Sequence, residues 1–528
     1  MSLEVQFFLA ILPILVIFCG LVIFKRSGTL MGVIGWLLTV FLAIFFFQTS
    51  LVIALFASLM GVLASFGISL MVLFTILQVT LMDITGAIKC ISDYIKSIAA
   101  ERYEQVMILN VGLGSFLVSI GATPVTMLPP IMMALGFSPL ASIALPCLGY
   151  DPLTSFSLLA VPITLPSSIF NLDASVFGGT ISLFLPLIST GLSLGMLWVA
   201  DGIDGIKKGF PTAVLAGLTL GFSCIFFVRI LPTSAIGLVG VFSGLLTIFV
   251  LMIEKHIRGK RNRKSGKILN NTKKFIKNPN MPLWKATLPW TLLVIFCILV
   301  SIPVIQSGLY NLIGPLQNIK LFANKSIDLK LLNQAYIWVL ISTILVIPLF
   351  IKTKEEAIKV AAVWIKRAWS PTLAAMVFFA ISYVMDWSGQ SVVNNALVFP
   401  PGSDLINMNM VIGLTLALTF GIAFPLISPS LGLLGAFISG SETSSNVMFY
   451  GILKKASEVL NLDFMKVYSG HAVGGGVASG IAVAKIINAA AVIDKLGMEG
   501  EVIRKVAPVA ILLTITTGIL LTLMIYVF

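Results

Sequence analysis

The chain has 528 residues, 58% of them hydrophobic and only 10% charged. Soluble domains carry about 25% charged residues; this composition excludes a water-facing surface of the required size and leaves a polytopic membrane protein. The net charge of +13 is uneven, with 11 Lys/Arg and one acid between Glu254 and Lys285. In a soluble chain that cluster would suggest nucleic acid, but here it reads as a cytoplasmic loop obeying the positive-inside rule and touching anionic lipid heads, with no nucleic-acid partner.

In chain order, the first apolar stretch, Phe7 to Phe24, is followed by Lys25-Arg26 rather than by a small-residue cleavage site. It reads as a first span, not a removed signal peptide. Further apolar runs near the ~20 residues that cross a bilayer lie at 30–47, 65–82, 177–200, 210–229, 233–253, 286–305, 335–351, 370–386, 406–424 and 506–527. Regions 106–165 and 426–493 are apolar but interrupted by Gly, Pro and polar residues, and 83–105 looks interfacial. The fold expected is an all-α polytopic membrane protein with about 12–14 transmembrane or re-entrant helical elements.

Lys25-Arg26, Lys207-Lys208, residues 254–285 and Lys352 to Arg367 are placed in the cytoplasm by their charge. The N-terminus and residues 306–333 then fall outside, where Asn324-Lys325-Ser326 matches a glycosylation sequon. The basic loop divides the chain into a transmembrane repeat at 1–253, the loop at 254–285 and a second transmembrane repeat at 286–528. Each half contains one interrupted region. Gly114-Ser115-Phe116-Leu117-Val118-Ser119-Ile120-Gly121 and Gly435-Ala436-Phe437-Ile438-Ser439-Gly440-Ser441 both read Gly-small-Phe-aliphatic and then turn polar. Interrupted segments at corresponding places in two halves point to the binding site of a secondary transporter, here with two inverted repeats and a broken-helix hairpin in each.

The strongest candidate site is Ser439-Gly440-Ser441-Glu442-Thr443-Ser444-Ser445-Asn446, polar residues where hydrocarbon is expected. Such groups are costly in a bilayer unless they line a cavity, pair or bind something. The hydroxyls, the Asn446 amide and backbone N–H groups freed by a break suit a carboxylate. Glu442 suits an anion only when protonated, which makes it a candidate proton carrier. Thr123-Pro124-Val125-Thr126 is the first-half counterpart, where Pro124 breaks the helix; Thr123, Pro124 and Thr126 are candidates there, with Ser119 just before. Asp151 is either a second proton carrier or the N-cap of a helix opening at Pro152. Asp386 and Asn488 are further polar candidates, and Lys485 either balances an acid or a substrate carboxylate or snorkels to the interface.

The five cysteines (Cys19, Cys90, Cys147, Cys224, Cys297) are scattered without a CxxC, and only His256 and His471 are present. Neither a disulfide framework, a metal site nor a cofactor is implied. Gly191-Leu192-Ser193-Leu194-Gly195 matches GxSxG inside a hydrophobic span, without the strand-turn-helix context of a hydrolase. With no Walker A loop or dinucleotide fingerprint, coupling falls to an ion gradient.

Gly435 to Asn446, read as G-x-F-x-[ST]-G-S-[DE]-T-S-S-N, resembles the L-lactate permease family. Asp201-Gly202-Ile203-Asp204-Gly205-Ile206-Lys207 through Pro211 is similar to that family's D-G-x-x-G-I-K-x-x-x-P stretch, and the order of apolar runs agrees from about residue 6 onward. The first half departs from the pattern: where the family shows F-L-E-G-x-x-G-F-G-A-P-V, this chain has Phe116 to Val125, two residues shorter, with Val118 or Ser119 at the glutamate position. Asp151 appears nearby, in place of an N-T-A-P stretch. The resemblance implies a secondary carrier for lactate, often glycolate, with a proton. The expectation is therefore proton-coupled uptake of lactate or a similar small 2-hydroxy monocarboxylate across the cell membrane, the alternative being a carrier of the same fold for another small organic anion, with sodium coupling as one option.

Overall fold

Apolar helices make up almost the whole structure. The computed structural model describes residues 2–24, 26–99, 101–119, 123–264, 281–300, 302–400 and 407–527. Ten of its helices are long and apolar enough to cross a membrane, and five apolar helices of 10–17 residues are shorter; ten alone and fifteen together bracket the 12 to 14 elements expected. The fold is all-α as expected, apart from two small antiparallel hairpins among the described residues. Lys25, Gly121, Ala122 and residues 265–280 of the basic loop lie outside the described residues.

The 46-residue helix Leu185–Ile230 is folded in two. Asp201 and Gly202 leave helical φ/ψ, with Gly202 at φ 65, and the second arm doubles back along the first. The arms touch through glycine. A Cβ on Gly217 would lie 2.3 Å from Thr190 Cα, and one on Gly221 would lie 2.4 Å from Pro186 Cα. These arms are the separate spans expected at 177–200 and 210–229, the first of which also takes in part of the Ala174–Ser182 helix. Gly217→Val is expected to cost about 1–3 kcal/mol, because backbone atoms must move to admit it. A thermal melt of the purified protein in detergent should fall by several degrees. The GxSxG match is also a packing feature: Gly191 and Gly195 lie against Leu513 and Val509 of the Glu499–Tyr526 helix.

One helix was not expected. Leu51–Ala64 has 14 residues, about 21 Å at 1.5 Å per residue, short of the ~30 Å hydrocarbon core. It continues through Ser65 into Phe66–Ile84, and the pair runs antiparallel to the 34-residue helix Lys354–Trp387. A Cβ on Gly61 would meet the Phe379 carbonyl at 2.6 Å, Trp364 Nε1 donates to the Leu73 carbonyl at 2.8 Å, and Arg367 reaches Asp83 at 3.4 Å. Arg367 also pairs with Asp494 at 2.7 Å, tying this unit to the end of the second interrupted region. The hydrogen bond from Arg367 holds the Asp494 carboxyl below the usual carboxylate range. A carboxyl with a lowered pKa keeps its charge at neutral pH, so this link is not a pH switch near neutrality.

The segment expected to be interfacial folds as Ala87–Ile98 and Arg102–Val106. Arg102 pairs with Asp201 at 3.3 Å. Arg258 binds Tyr103 and Glu254 and reaches Thr212 at 2.7 Å and Glu104 at 3.5 Å. Thus the turn at Asp201 and the start of the basic loop gather at one end of the bundle.

Residues 306–333 contain the hairpin Asn318–Phe322/Lys325–Asp328, which meets the second hairpin, Ser391–Val393/Ala396–Val398. The Asn324 amide donates to the Leu397 carbonyl at 2.7 Å and accepts the Leu397 N–H at 2.9 Å. The sequon asparagine therefore serves as a strand-like link between hairpins. Asn324→Ala removes both bonds, about 1 kcal/mol each, and should speed protease cleavage of the hairpin in the detergent-purified protein relative to wild type. No disulfide joins the five cysteines among the described residues.

Candidate functional site

Two interruptions from each half come together at the site. In the second half, Phe424–Ser439 ends at Gly440, whose φ of 70 is accessible to glycine without a Cβ clash. Glu442 then opens the helix Glu442–Val459. A second interruption, through the 3-10 turn Ala478–Gly480, separates Phe464–Val477 from Val483–Ala491. In the first half, Thr123 precedes Pro124–Ala134 as N-cap, with Pro124 at the first helical position, where its missing N–H costs nothing. The other first-half break, residues 149–160, lies between Pro139–Leu148 and Val161–Phe170. Thr154, Leu158, Leu159 and Ala160 take φ of 43, 52, 56 and 57 there. The left-handed region costs a non-glycine residue about 1–2 kcal/mol, so the break stores backbone strain that its surroundings must hold.

The breaks of the two halves hold each other. Asp151, fully buried, accepts the Gly480 N–H at 2.9 Å. No helix opens at Asp151, so it does not cap its own segment; it caps the opposing interruption, 329 positions along the chain. The Ser155 hydroxyl donates to Glu442 Oε1. Asn446 Nδ2 donates to the Pro162 carbonyl at 3.1 Å. Gly476 lies so close to Thr154 that a Cβ would sit 2.6 Å from it.

Between these links lies a cavity of about 50 Å³. A water occupies about 10–15 Å³ in this measure, so the space suits a solute of a few heavy atoms after modest widening. Gly440, Ser441, Glu442, Thr443, Thr123, Lys485 and Asn488 all line it. The helix Phe66–Ile84 closes one side with Gly67, Ile68, Met71 and Val72, and its Thr75 shares a 3.0 Å hydrogen bond with Thr123. Lys485 does not snorkel. Its ammonium donates to Ser479 Oγ and sits 3.7 Å above the Tyr150 ring, a cation–π contact. Ser479 directly precedes Gly480, whose N–H Asp151 accepts. Lys485 is the one cation among the described residues lining the cavity, and Glu442 the one acid.

Other candidates fall elsewhere. Ser445 and Asn446 lie one turn beyond Glu442, past the cavity lining. Ser445 Oγ contacts the Gly432 carbonyl at 3.2 Å and His471 Nε2 at 3.3 Å, while Asn446 supports the Pro162 backbone. Pro124 and Thr126 stand behind Thr123, with Thr126 Oγ1 donating to the Thr123 carbonyl at 3.0 Å. Ser119 Oγ bonds the Phe116 carbonyl at 2.7 Å, and its Cβ lies 3.0 Å from where a Cβ on Gly240 would be. Asp386 ends the helix Lys354–Trp387, where Lys325 lies over the Trp387 ring at 5.3 Å, apart from the cavity. The backbone of Ser439 and Ser444 is helical, but their side chains lie outside the described residues. Tyr150, Thr154, Ser155, Ser157 and Ser479, not singled out as candidates, stand at the site. A larger cavity of about 170 Å³, lined by Met410, Leu414, Leu418 and Ile452 among others, offers no polar side chain to an anion.

Interrupted helices meeting across a small charged cavity inside a multi-pass bundle define a transport protein, not an enzyme. The description "L-lactate permease" matches residues 6–528, and the chain belongs to the L-lactate permease family. It is 24% identical to the glycolate permease GlcA of Escherichia coli (strain K12), over 98% of this chain and 95% of that one. It is 24% identical to an L-lactate permease of Streptococcus iniae, over 87% and 92%, and 23% identical to one of Bacillus subtilis (strain 168), over 94% and 91%.

Proposed function

We propose that this permease takes up a small 2-hydroxy monocarboxylate, lactate or glycolate, together with a proton across the cell membrane. The observation that carries the reading is one cation, Lys485, and one acid, Glu442, facing a single small cavity. Lys485 receives the substrate carboxylate, helped by hydroxyls of Ser441, Thr443 and Thr123. Two anions in a low-dielectric space repel strongly, so Glu442 accepts the coupled proton before the substrate enters. Asp151 already holds the Gly480 N–H; its part is to fix the turn whose Ser479 binds Lys485. The names of the relatives, lactate and glycolate permeases, support the same substrate class.

In this reading residues 1–253 and 286–528 form two inverted repeats, each contributing its broken helices. The N-terminus and the hairpin end lie outside, and the end holding Asp201 and Arg258 lies in the cytoplasm. Movement of one repeat against the other opens the cavity to alternate sides. Uptake into proteoliposomes tests it. An inward proton gradient should drive accumulation of labelled lactate or glycolate. Accumulation driven by sodium at equal pH, with none from the proton gradient, would overturn the coupling; uptake no greater than in empty liposomes would overturn the substrate.

A further inference from the structure

We infer that Asn488 reads the 2-hydroxyl group of the substrate and so sets the preference for hydroxy acids over acids of the same skeleton without that hydroxyl. This rests on the reading of the cavity as a monocarboxylate site. A carboxylate brings only acceptors, and Lys485 with the neighbouring hydroxyls supplies the donors it needs. Asn488 is out of place in that set. It lines the cavity, is 1% exposed, and its amide oxygen has no hydrogen-bond partner.

A buried acceptor left unpaired costs about 1–3 kcal/mol, and such a group in a native site calls for a partner brought from elsewhere. Thr154 Oγ1 is also unpaired, but a hydroxyl can turn and donate to the substrate. An amide oxygen must be given a proton donor, and the 2-hydroxyl is the donor that lactate and glycolate carry at neutral pH. Asn488 follows Lys485 by three positions in Val483–Ala491, which puts both on one helix face. Charge receptor and hydroxyl acceptor are thus neighbours, as the adjoining carboxylate and hydroxyl carbons of a 2-hydroxy acid require. Rotation of the terminal torsion exchanges amide oxygen and nitrogen, so one side chain can accept from the hydroxyl and donate to the carboxylate.

The test is competition against labelled L-lactate uptake in proteoliposomes by unlabelled L-lactate and by propionate, the same acid without its hydroxyl. Sites that hydrogen-bond a substrate hydroxyl reject the analogue lacking it strongly, up to about 10⁴–10⁵-fold. Wild type should favour lactate by ~10²-fold or more, and Asn488→Leu should shrink that ratio to below ~10-fold while propionate still competes. Asn488→Ala is read in the same way and serves if the leucine variant does not fold. An unchanged ratio in the folded variant, or a wild type that takes lactate and propionate equally, overturns the inference and leaves monocarboxylate transport standing. Absence of any lactate uptake by wild type overturns the reading on which it rests.

Discussion

Lys485→Met is expected to abolish substrate binding. Methionine keeps the length of the side chain and much of its apolar contact with Tyr150, but removes the ammonium that faces the cavity. Breaking a buried charged pair costs about 3–5 kcal/mol, here because the substrate carboxylate would enter with no cation while Glu442 and Asp151 remain. At 1.4 kcal/mol per factor of ten, the loss is about 10²–10³-fold in affinity or more. Binding of labelled lactate or glycolate to detergent-purified protein measures it directly, without dependence on a gradient. Lys485→Arg is expected to restore little, since a planar guanidinium cannot repeat both the contact with Ser479 Oγ and the seat above Tyr150. Undiminished binding by Lys485→Met would remove Lys485 from the site.

Glu442→Gln is expected to separate uptake from the proton gradient. Glutamine can still meet the Ser155 hydroxyl and mimics the protonated acid, so substrate should enter and exchange down its own gradient. One pH unit corresponds to about 1.36 kcal/mol, so a carrier moving one proton per substrate can accumulate about tenfold per unit. With two units imposed, wild type should approach ~100-fold accumulation and the variant should stay near unity. Exchange of internal unlabelled for external labelled substrate should persist in the variant. A variant that still accumulates would move the proton to Asp151, and Asp151→Asn then becomes the decisive measurement.

The polar run from Ser439 to Asn446 was legible because eight residues with hydroxyl, carboxylate or amide groups, or no side chain, do not belong on a lipid-facing helix. Its break at Gly440 and the restart at Pro124 followed from rules that act within a few residues. Helical class and most spans followed from apolar runs of bilayer length. Leu51–Ala64 escaped because it is too short to span alone, and its role appears only when it is laid along Lys354–Trp387. The roles of Ser155 and Ser479 were not legible, since isolated serines are common in membrane helices and these matter through partners 287 and six positions away. Asp151 was noticed as an acid at membrane depth, but local capping rules look only to its own segment, and its hydrogen bond goes to Gly480. Ser445 and Asn446 shared the motif with Glu442, but one helical turn, about 5.4 Å, carries them beyond the cavity.

The links that close the cavity also order its biogenesis. Asp151 to Gly480, Ser155 to Glu442 and Asn446 to Pro162 join positions 329, 287 and 284 apart. While the ribosome is still translating the second half, the break at residues 149–160 lacks Gly480 and Glu442, the partners of Asp151 and Ser155. The transport centre is therefore among the last parts to assemble, and a nascent chain stalled before Glu442 should present an unfinished polar seam to the membrane's quality-control proteases.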